Sequence, residues 1–240
     1  MPYLILSDVH SNREALEAVI RDAAGLYDRI LCLGDIVGYG ADPNFTAEWV
    51  RTHSAAAIRG NHDKLCVGLD APEVYNPAAR ASAVWTRQRL EPANVAYLSN
   101  LPRGPLRVRD FDLVHGSPLD EDEYVIHAGD AAMVRDYLDA SVTFFGHTHV
   151  QGGFLFTRGG IKRIAPEGVI EIEPDHRYLF NPGSVGQPRD MNPRSAYAIY
   201  TPEKRTLEFR RVKYDIEKAA QKILDAGLPN VLALRLYEGA

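Results

Sequence analysis

The sequence predicts an α/β (α+β) fold in which two β-sheets pack together within one domain, residues 1–240. Three observations lead there: short apolar runs alternate with helical patterns up to residue 150, short strands then follow one another between tight turns, and no Gly/Ser-rich linker separates the halves. Apolar residues make up 45% and charged residues 25%, close to the average for soluble globular proteins, and no repeat or low-complexity tract intervenes. A chain of this length buries roughly 70–75% of its unfolded surface, so a core forms without disulfides or structural metals.

Taken in order, Tyr3–Leu6, Arg29–Leu33, Ala55–Arg59, Phe111–Val114 and Ser141–Phe145 read as buried strands. Ser11-Asn12-Arg13-Glu14 has the form of a capping box ahead of Leu16, Val19, Ile20 and Ala23, with Gly25 as the stop. Asp42-Pro43 opens a second helix, with proline in its first turn. Asn76-Pro77 opens a third, running to Leu90, and Ala131–Leu138 is a fourth. The stretch from about 65 to 101 reads as a helical insertion. Its helix carries Ala78, Ala81, Val84 and Trp85 on one side and Arg80 and Arg87 on another, which favours a core-packing helix over a substrate-shaping cap. Beyond residue 150, Phe154–Thr157, Ile161–Ile164, Val169–Glu173, Tyr178–Phe180, Ala196–Tyr200 and Thr206–Val212 form an antiparallel meander, and Asp215–Ala226 closes with an amphipathic helix.

Several function classes fall away. No apolar run approaches the roughly 18–20 residues of a membrane span. The stretch Met1–Asp8 lacks the basic start and apolar length of a signal peptide. Two cysteines cannot build a disulfide framework and fit a reducing, cytoplasmic setting. Cys32 reads as a packed small hydrophobe and Cys66 as oxidation-sensitive. A net charge of -5 argues against a nonspecific duplex-binding protein.

The informative residues sit at strand ends. Strand one runs into Ser7-Asp8-Val9-His10, strand two into Gly34-Asp35, and strand three into Gly60-Asn61-His62-Asp63. The next two run into His115-Gly116 and Gly146-His147-Thr148-His149. Five of the eight histidines therefore fall where open α/β sheets bind ligands. If these strands are neighbours in one sheet, the clusters meet on a single rim. Each cluster alone is weak: Asp8-x-His10 is more often loop polarity, Gly60-Asn61-His62-Asp63 could be a turn, and a lone His115 is usually a hydrogen-bonded neighbour of the core. Gly146-His147-Thr148-His149 is stronger, since histidines spaced by two can point the same way from extended backbone. The joint occurrence of all the clusters points to a site. Carboxylates, imidazoles and an amide without a thiolate suit borderline divalent ions such as Mn, Fe, Co or Zn. Asp8, His10, Asp35, Asn61, His115, His147 and His149 are too many ligands for one such ion in an open site. They suffice for two ions about 3.5–4 Å apart. Asp35, beside Gly34 and central in the order, is the candidate bridge. Two such ions and two aspartates leave a positive remainder suited to a hydroxide and a phosphate anion, which points to phosphoryl transfer.

The ordered motifs, from Asp8-x-His10 through Gly34-Asp35-x-x-Gly38-Tyr39-Gly40, Gly60-Asn61-His62-Asp63 and His115-Gly116 to Gly146-His147-Thr148-His149, resemble the calcineurin-like metallophosphoesterase superfamily. Asn181-Pro-Gly-Ser-Val-Gly-Gln-Pro-Arg189 extends the likeness to a compact prokaryotic phosphodiesterase-like branch. The resemblance implies a four-layer αββα sandwich. It implies Asp8, His10, Asp35 and His149 as ligands of a first metal, and Asp35, Asn61, His115 and His147 as ligands of a second. It implies His62 as the group facing the leaving oxygen, with Asp63 orienting or charging it. The implied reaction is in-line attack on phosphorus by a metal-bridging hydroxide, His62 assisting the departing alkoxide as imidazolium or hydrogen-bond donor.

Other residues stay open at this stage. Tyr39 either touches substrate or packs; Asn12 donates to a phosphate or helps the helix start; Arg189 binds a phosphate bidentately or is solvated. Gly183-Ser184-Val185-Gly186 lacks nucleophile-elbow spacing, so Ser184 reads as a turn residue. His53, His127 and His176 read as surface residues. The leading expectation is a metal-dependent phosphoesterase acting on a small, nucleotide-type diester. A metal-dependent nuclease would need a long basic groove, a protein phosphatase longer peptide-binding insertions, and a non-catalytic scaffold the loss of His62.

Overall fold

The computed structural model describes residues 1–240. The strands are β1 (Tyr3–Leu6), β2 (Arg29–Cys32), β3 (Ala56–Ala57), β4 (Leu106–Val108), β5 (Phe111–Leu113) and β6 (Val142–Phe144). They continue with β7 (Gly152–Thr157), β8 (Gly160–Ile164), β9 (Val169–Glu171), β10 (Arg177–Asn181), β11 (Ser195–Thr201) and β12 (Thr206–Val212). The helices are α1 (Arg13–Asp22), α2 (Pro43–His53), α3 (Asn61–Val67), α4 (Pro77–Arg87), α5 (Pro92–Ser99), α6 (Ala128–Val134), α7 (Ile216–Asp225) and α8 (Asn230–Glu238). None is long and apolar enough to cross a membrane.

Two six-stranded mixed sheets result, ordered β3-β2-β1-β11-β12-β9 and β4-β5-β6-β10-β7-β8. In the first, β1, β2 and β3 run parallel while β11 joins β1 antiparallel, Leu4 opposite Ile199. In the second, β5, β6 and β10 run parallel and β7 joins β10 antiparallel. The two-residue period of a strand splits its side chains between opposite faces. Tyr3 and Ile5 of β1 accordingly enter the core between the sheets, with Leu31, Phe111, Phe144, Phe180 and Phe209. Leu4 and Leu6 enter a second core under the helices, with Leu16, Val19, Val50 and Leu98. On the far side Phe154, Phe156 and Leu179 of the second sheet pack against Ala131 and Val134 of α6. Helix, sheet, sheet and helix make the four layers that the resemblance implies.

The strands after residue 150 are not a meander. β7, β8 and β10 complete the second sheet, while β9, β11 and β12 complete the first. Their alternation fits either sheet, and only packing assigns each. The strand-end clusters therefore do not lie in one sheet: β1, β2 and β3 belong to the first, β5 and β6 to the second. The rim where they meet is shared by the ends of two packed sheets.

Local boundaries differ too. The capping box at Ser11 does not form: the cap is Asn12, whose Oδ1 accepts the Ala15 N–H at 3.1 Å. His10 and Ser11 both sit at positive φ, a sharp turn that delays the helix by one residue. Glu14 instead meets Lys222 at 2.7 Å and Lys218 at 3.2 Å. Gly60-Asn61-His62-Asp63 opens α3 rather than a loop. α4 buries Ala79, Ser82, Ala83 and Thr86; of the expected stripe, Ala78 and Trp85 pack against the core beside α7 and α8 while Ala81 and Val84 face solvent. Helices α5 and α8 and strand β4 carried no signal strong enough to be expected. Cys32 is packed in β2 as expected, but Cys66 is also fully buried and its thiol is pushed well up by burial, which shields it from oxidants.

Candidate metal centre

The ends of β1, β2, β3, β5 and β6 deliver Asp8, His10, Asp35, Asn61, His115, His147 and His149 to one place. All are buried. Asp8, His10, Asp35, His147 and His149 sit at positive φ, as does Tyr39; with Ser11, Arg109, Met191 and Arg205 these are the only such non-glycine residues. Left-handed backbone costs a non-glycine residue about 1–2 kcal/mol. Half of these residues fall on candidate ligands, the pattern of local strain held at a functional site.

Two groups of metal-ligating atoms lie within 4.8 Å of one another, Asp8-His10-Asp35-His149 and Asp35-His115-His147. They are the two sets of the sequence reading apart from Asn61, whose Oδ1 lies 3.2 Å from His115 Nε2. The groups share Asp35. Its Oδ1 accepts the His62 N–H at 2.8 Å, and its Oδ2 lies 3.6 Å from His10 Nε2 and 3.4 Å from His115 Nε2.

The outward nitrogens decide what the inward ones can do. Each of the four histidines places one ring nitrogen against a main-chain carbonyl: His10 Nδ1 on Val37 at 3.2 Å, His115 Nδ1 on Leu33 at 2.7 Å, His149 Nδ1 on Gln187 at 2.5 Å, and His147 Nε2 on Asp122 at 3.1 Å. A carbonyl only accepts, so these nitrogens carry the protons, and in a neutral ring the other nitrogen presents a lone pair. The Nε2 atoms of His10 and His149 nevertheless face each other at 3.0 Å. Asp8 Oδ2 is buried with no partner. Around Asp8, His10 and His149 acceptors converge without a donor and repel one another unless a cation lies among them, so the residues present fit divalent metal ions.

The electrostatics agree. Burial raises the Asp8 and Asp35 carboxyls, but His149 beside Asp8 and His115 beside Asp35 outweigh it and keep both ionised. Burial lowers His10 and His149, and pushes His147 down to about 3. His115 goes the other way: against burial, Asp35 raises it to about 10. A proton held there stands in for part of the positive charge the two carboxylates require.

His62, on the first turn of α3, has no carbonyl against its ring. Its Nδ1 is buried without a partner, its ring packs 4.3 Å from Tyr39 and 5.0 Å from His10, and burial lowers its pKa to about 4. Asp63 does not orient it. The Asp63 carboxylate accepts from the N–H groups of Gly60, Ile36 and Val37 at 2.9–3.1 Å, tying the start of α3 to the Asp35 loop. Burial and Asp35 raise its pKa to about 7. Asn12 is likewise committed, capping α1 and donating to the Gly186 carbonyl at 2.9 Å. Ser184 holds the Asp8 carbonyl at 2.8 Å within its turn. Arg189 lies over the Tyr39 ring at 5.6 Å, with Nη2 donating to Gln187 at 3.0 Å and a buried, unpartnered Nε. His53 and His127 are exposed and His176 partly so, apart from the centre.

A pocket of about 260 Å³ opens over Asn61, His62 and His147. Its walls add residues that the motifs do not contain: Asp70, Val74 and Tyr75 from the insertion, Asp122 and Tyr124 from the loop after β5. The Tyr124 ring lies tilted against that of His147 at 3.9 Å, and Lys64 joins Asp122 at 2.5 Å and Asp70 at 3.4 Å. Nothing in their spacing marks them, since loop closure alone brings them together.

Fold and centre define a class, the metallophosphoesterases, and comparison with known proteins agrees. The calcineurin-like phosphoesterase superfamily domain matches residues 1–205, and the chain belongs to that superfamily. It is similar to a crystal structure described as a metallophosphoesterase from Sphaerobacter thermophilus, at 38% identity and TM-score 0.88, covering 100% of this chain and 99% of that one. An uncharacterised protein of Methanocaldococcus jannaschii is 35% identical over 98% of this chain and 97% of its own length. A hypothetical protein of Pyrococcus horikoshii shares the fold, with 19% identity, TM-score 0.82 and coverage of 100% and 98%.

Proposed function

We propose that this protein is a phosphohydrolase that uses two divalent transition-metal ions to cleave a small phosphodiester of nucleotide type. One observation carries the reading: four buried histidines give their outward protons to main-chain carbonyls and turn their other ring nitrogens toward two carboxylates, with Asp35 common to both groups. Such an array binds cations and little else. Bound there, a metal pair supplies a nucleophile at neutral pH and neutralises phosphoryl charge.

The chain's own residues do the rest. Asp8, His10, Asp35 and His149 would hold one ion; Asp35, Asn61, His115 and His147 would hold the other. His62, with a pKa near 4, is a neutral imidazole at pH 7. Its task is therefore to donate a hydrogen bond to the leaving oxygen, rather than to act as an imidazolium acid. Arg189, with an unpartnered Nε beside Tyr39, is placed to bind phosphoryl oxygens. Two buried, free thiols fit a cytoplasmic setting.

The test is metal reconstitution followed by hydrolysis of bis(p-nitrophenyl) phosphate. Chelation abolishes activity, and His62→Ala slows it about a hundredfold with metal content unchanged. An unaffected rate in that variant removes His62 from the reaction.

A further inference from the structure

The pocket over His62 has a chemical character that the metal centre does not impose. It is lined by Asn61, His62 and His147, so on the proposed reaction, in which His62 faces the leaving oxygen, its occupant would be the leaving group. Its walls are the rings of Tyr39, Tyr75 and Tyr124 and the side chain of Val74, which is 78% exposed. Tyr75 is fixed by donating to Asp70 at 2.8 Å, and its ring meets that of His62 edge-on at 6.1 Å.

The charges on those walls all have one sign. Asp70 and Asp122 line the pocket, and no lysine or arginine does. Lys64 lies behind them, its ammonium already 2.5 Å from Asp122, 3.4 Å from Asp70 and 3.5 Å from Glu121. Arg59 is paired with the same Glu121 at 2.9 Å. Two cations thus face three carboxylates. Arg189 sits across Tyr39 and is not part of these walls.

Resting on the phosphoesterase reading, the geometry points to a leaving group that is an uncharged alcohol bearing a flat ring, a nucleoside or aryl alcohol, and not a phosphate. Aromatic walls accept a ring by stacking. A second phosphate departing from an anhydride would bring negative charge against Asp70 and Asp122 with no lysine or arginine on those walls to receive it. Hydrolysis of the favoured substrate forms a P–O bond to the oxygen of water and breaks the bond to the alcohol oxygen. The alcohol leaves with one proton of that water, and a phosphomonoester remains.

The test compares p-nitrophenyl thymidine 5′-phosphate with dithymidine diphosphate on the manganese-loaded protein. The two leaving groups are of similar acidity, so intrinsic reactivity does not decide the outcome. The expected kcat/KM is at least tenfold higher for the aryl ester. Val74→Lys, an exposed substitution, and Asp122→Asn each narrow that ratio about fivefold, the effect of one charge near a surface pocket. In metal-free protein, thymidine shifts the ring resonances of Tyr75 and Tyr124 at concentrations about tenfold below those needed with inorganic pyrophosphate. Equal or better cleavage of the anhydride, a ratio unmoved by Val74→Lys, or the reverse order of binding overturns the inference and leaves the phosphoesterase reading standing. Failure to hydrolyse either compound, together with bis(p-nitrophenyl) phosphate, overturns both.

Discussion

A β-carbon on Gly38 would lie 2.8 Å from Nδ1 of His62, so the shape of the Gly38-Tyr39-Gly40 turn, and no hydrogen bond, sets the place of that imidazole. Gly38 also sits at φ +90, where side chains are strained. Gly38→Ala should therefore destabilise the protein by about 1–2 kcal/mol in urea unfolding. It should also lower kcat on the order of tenfold by displacing His62, with metal content intact. Wild-type kcat in this variant would show that the ring's position does not matter.

Asp35 is shared by the two ligand groups. Asp35→Asn should lower occupancy of both sites in elemental analysis of the metal-loaded protein. Loss of one ion alone would remove Asp35 as a bridge.

Arg189 combines an unpartnered buried Nε with a second nitrogen held by Gln187. Lysine keeps the charge but not the planar fork. Arg189→Lys should raise KM for a phosphodiester about tenfold, in line with the loss of one charge-assisted hydrogen bond, and change kcat less. An unchanged KM assigns Arg189 to packing against Tyr39.

The metal-free protein should be most stable near neutrality. Burial lowers His10 and His149 and takes His62 from 6.5 to about 4 and His147 to about 3. Between about 4 and 6.5 the unfolded chain binds the His62 and His147 protons and the native state does not, so stability rises with pH there, and the lowered His10 and His149 act in the same direction. Asp63, raised by burial and Asp35 from 3.8 to about 7, opposes this, one group against four. His115 is held up at about 10 by Asp35 in spite of burial, so its contribution is lost as pH climbs from 6.5 through that value. Urea unfolding across pH 4–10 measures the curve. A steady rise to pH 9 would mean that His115 does not hold its proton on Asp35.

Much of the centre could be read along the chain because most candidate ligands follow a short buried strand, and a strand's end is marked by where its apolar run stops. Asp8, Asp35, Asn61, His115 and His147 are visible that way. The helix at Asn61–Val67 was not, since its opening residues are also turn formers and its length is only seven. The role expected of Asp63 came from the family resemblance, which sets it beside His62 in the motif. Helical geometry turns consecutive side chains away from each other, and its carboxylate went to three main-chain N–H groups instead.

By itself, the sequence determined the candidate ligand types, their order and most of the strands that carry them, because hydrophobic period and residue chemistry are local properties. Only the tertiary structure decided which sheet each later strand joins, that the rim is shared by two sheets, and that Tyr75, Tyr124, Asp70 and Asp122 wall the space beside His62. Those outcomes depend on side chains far apart in the chain packing at van der Waals distance, and no local pattern encodes which distant partner a surface will meet.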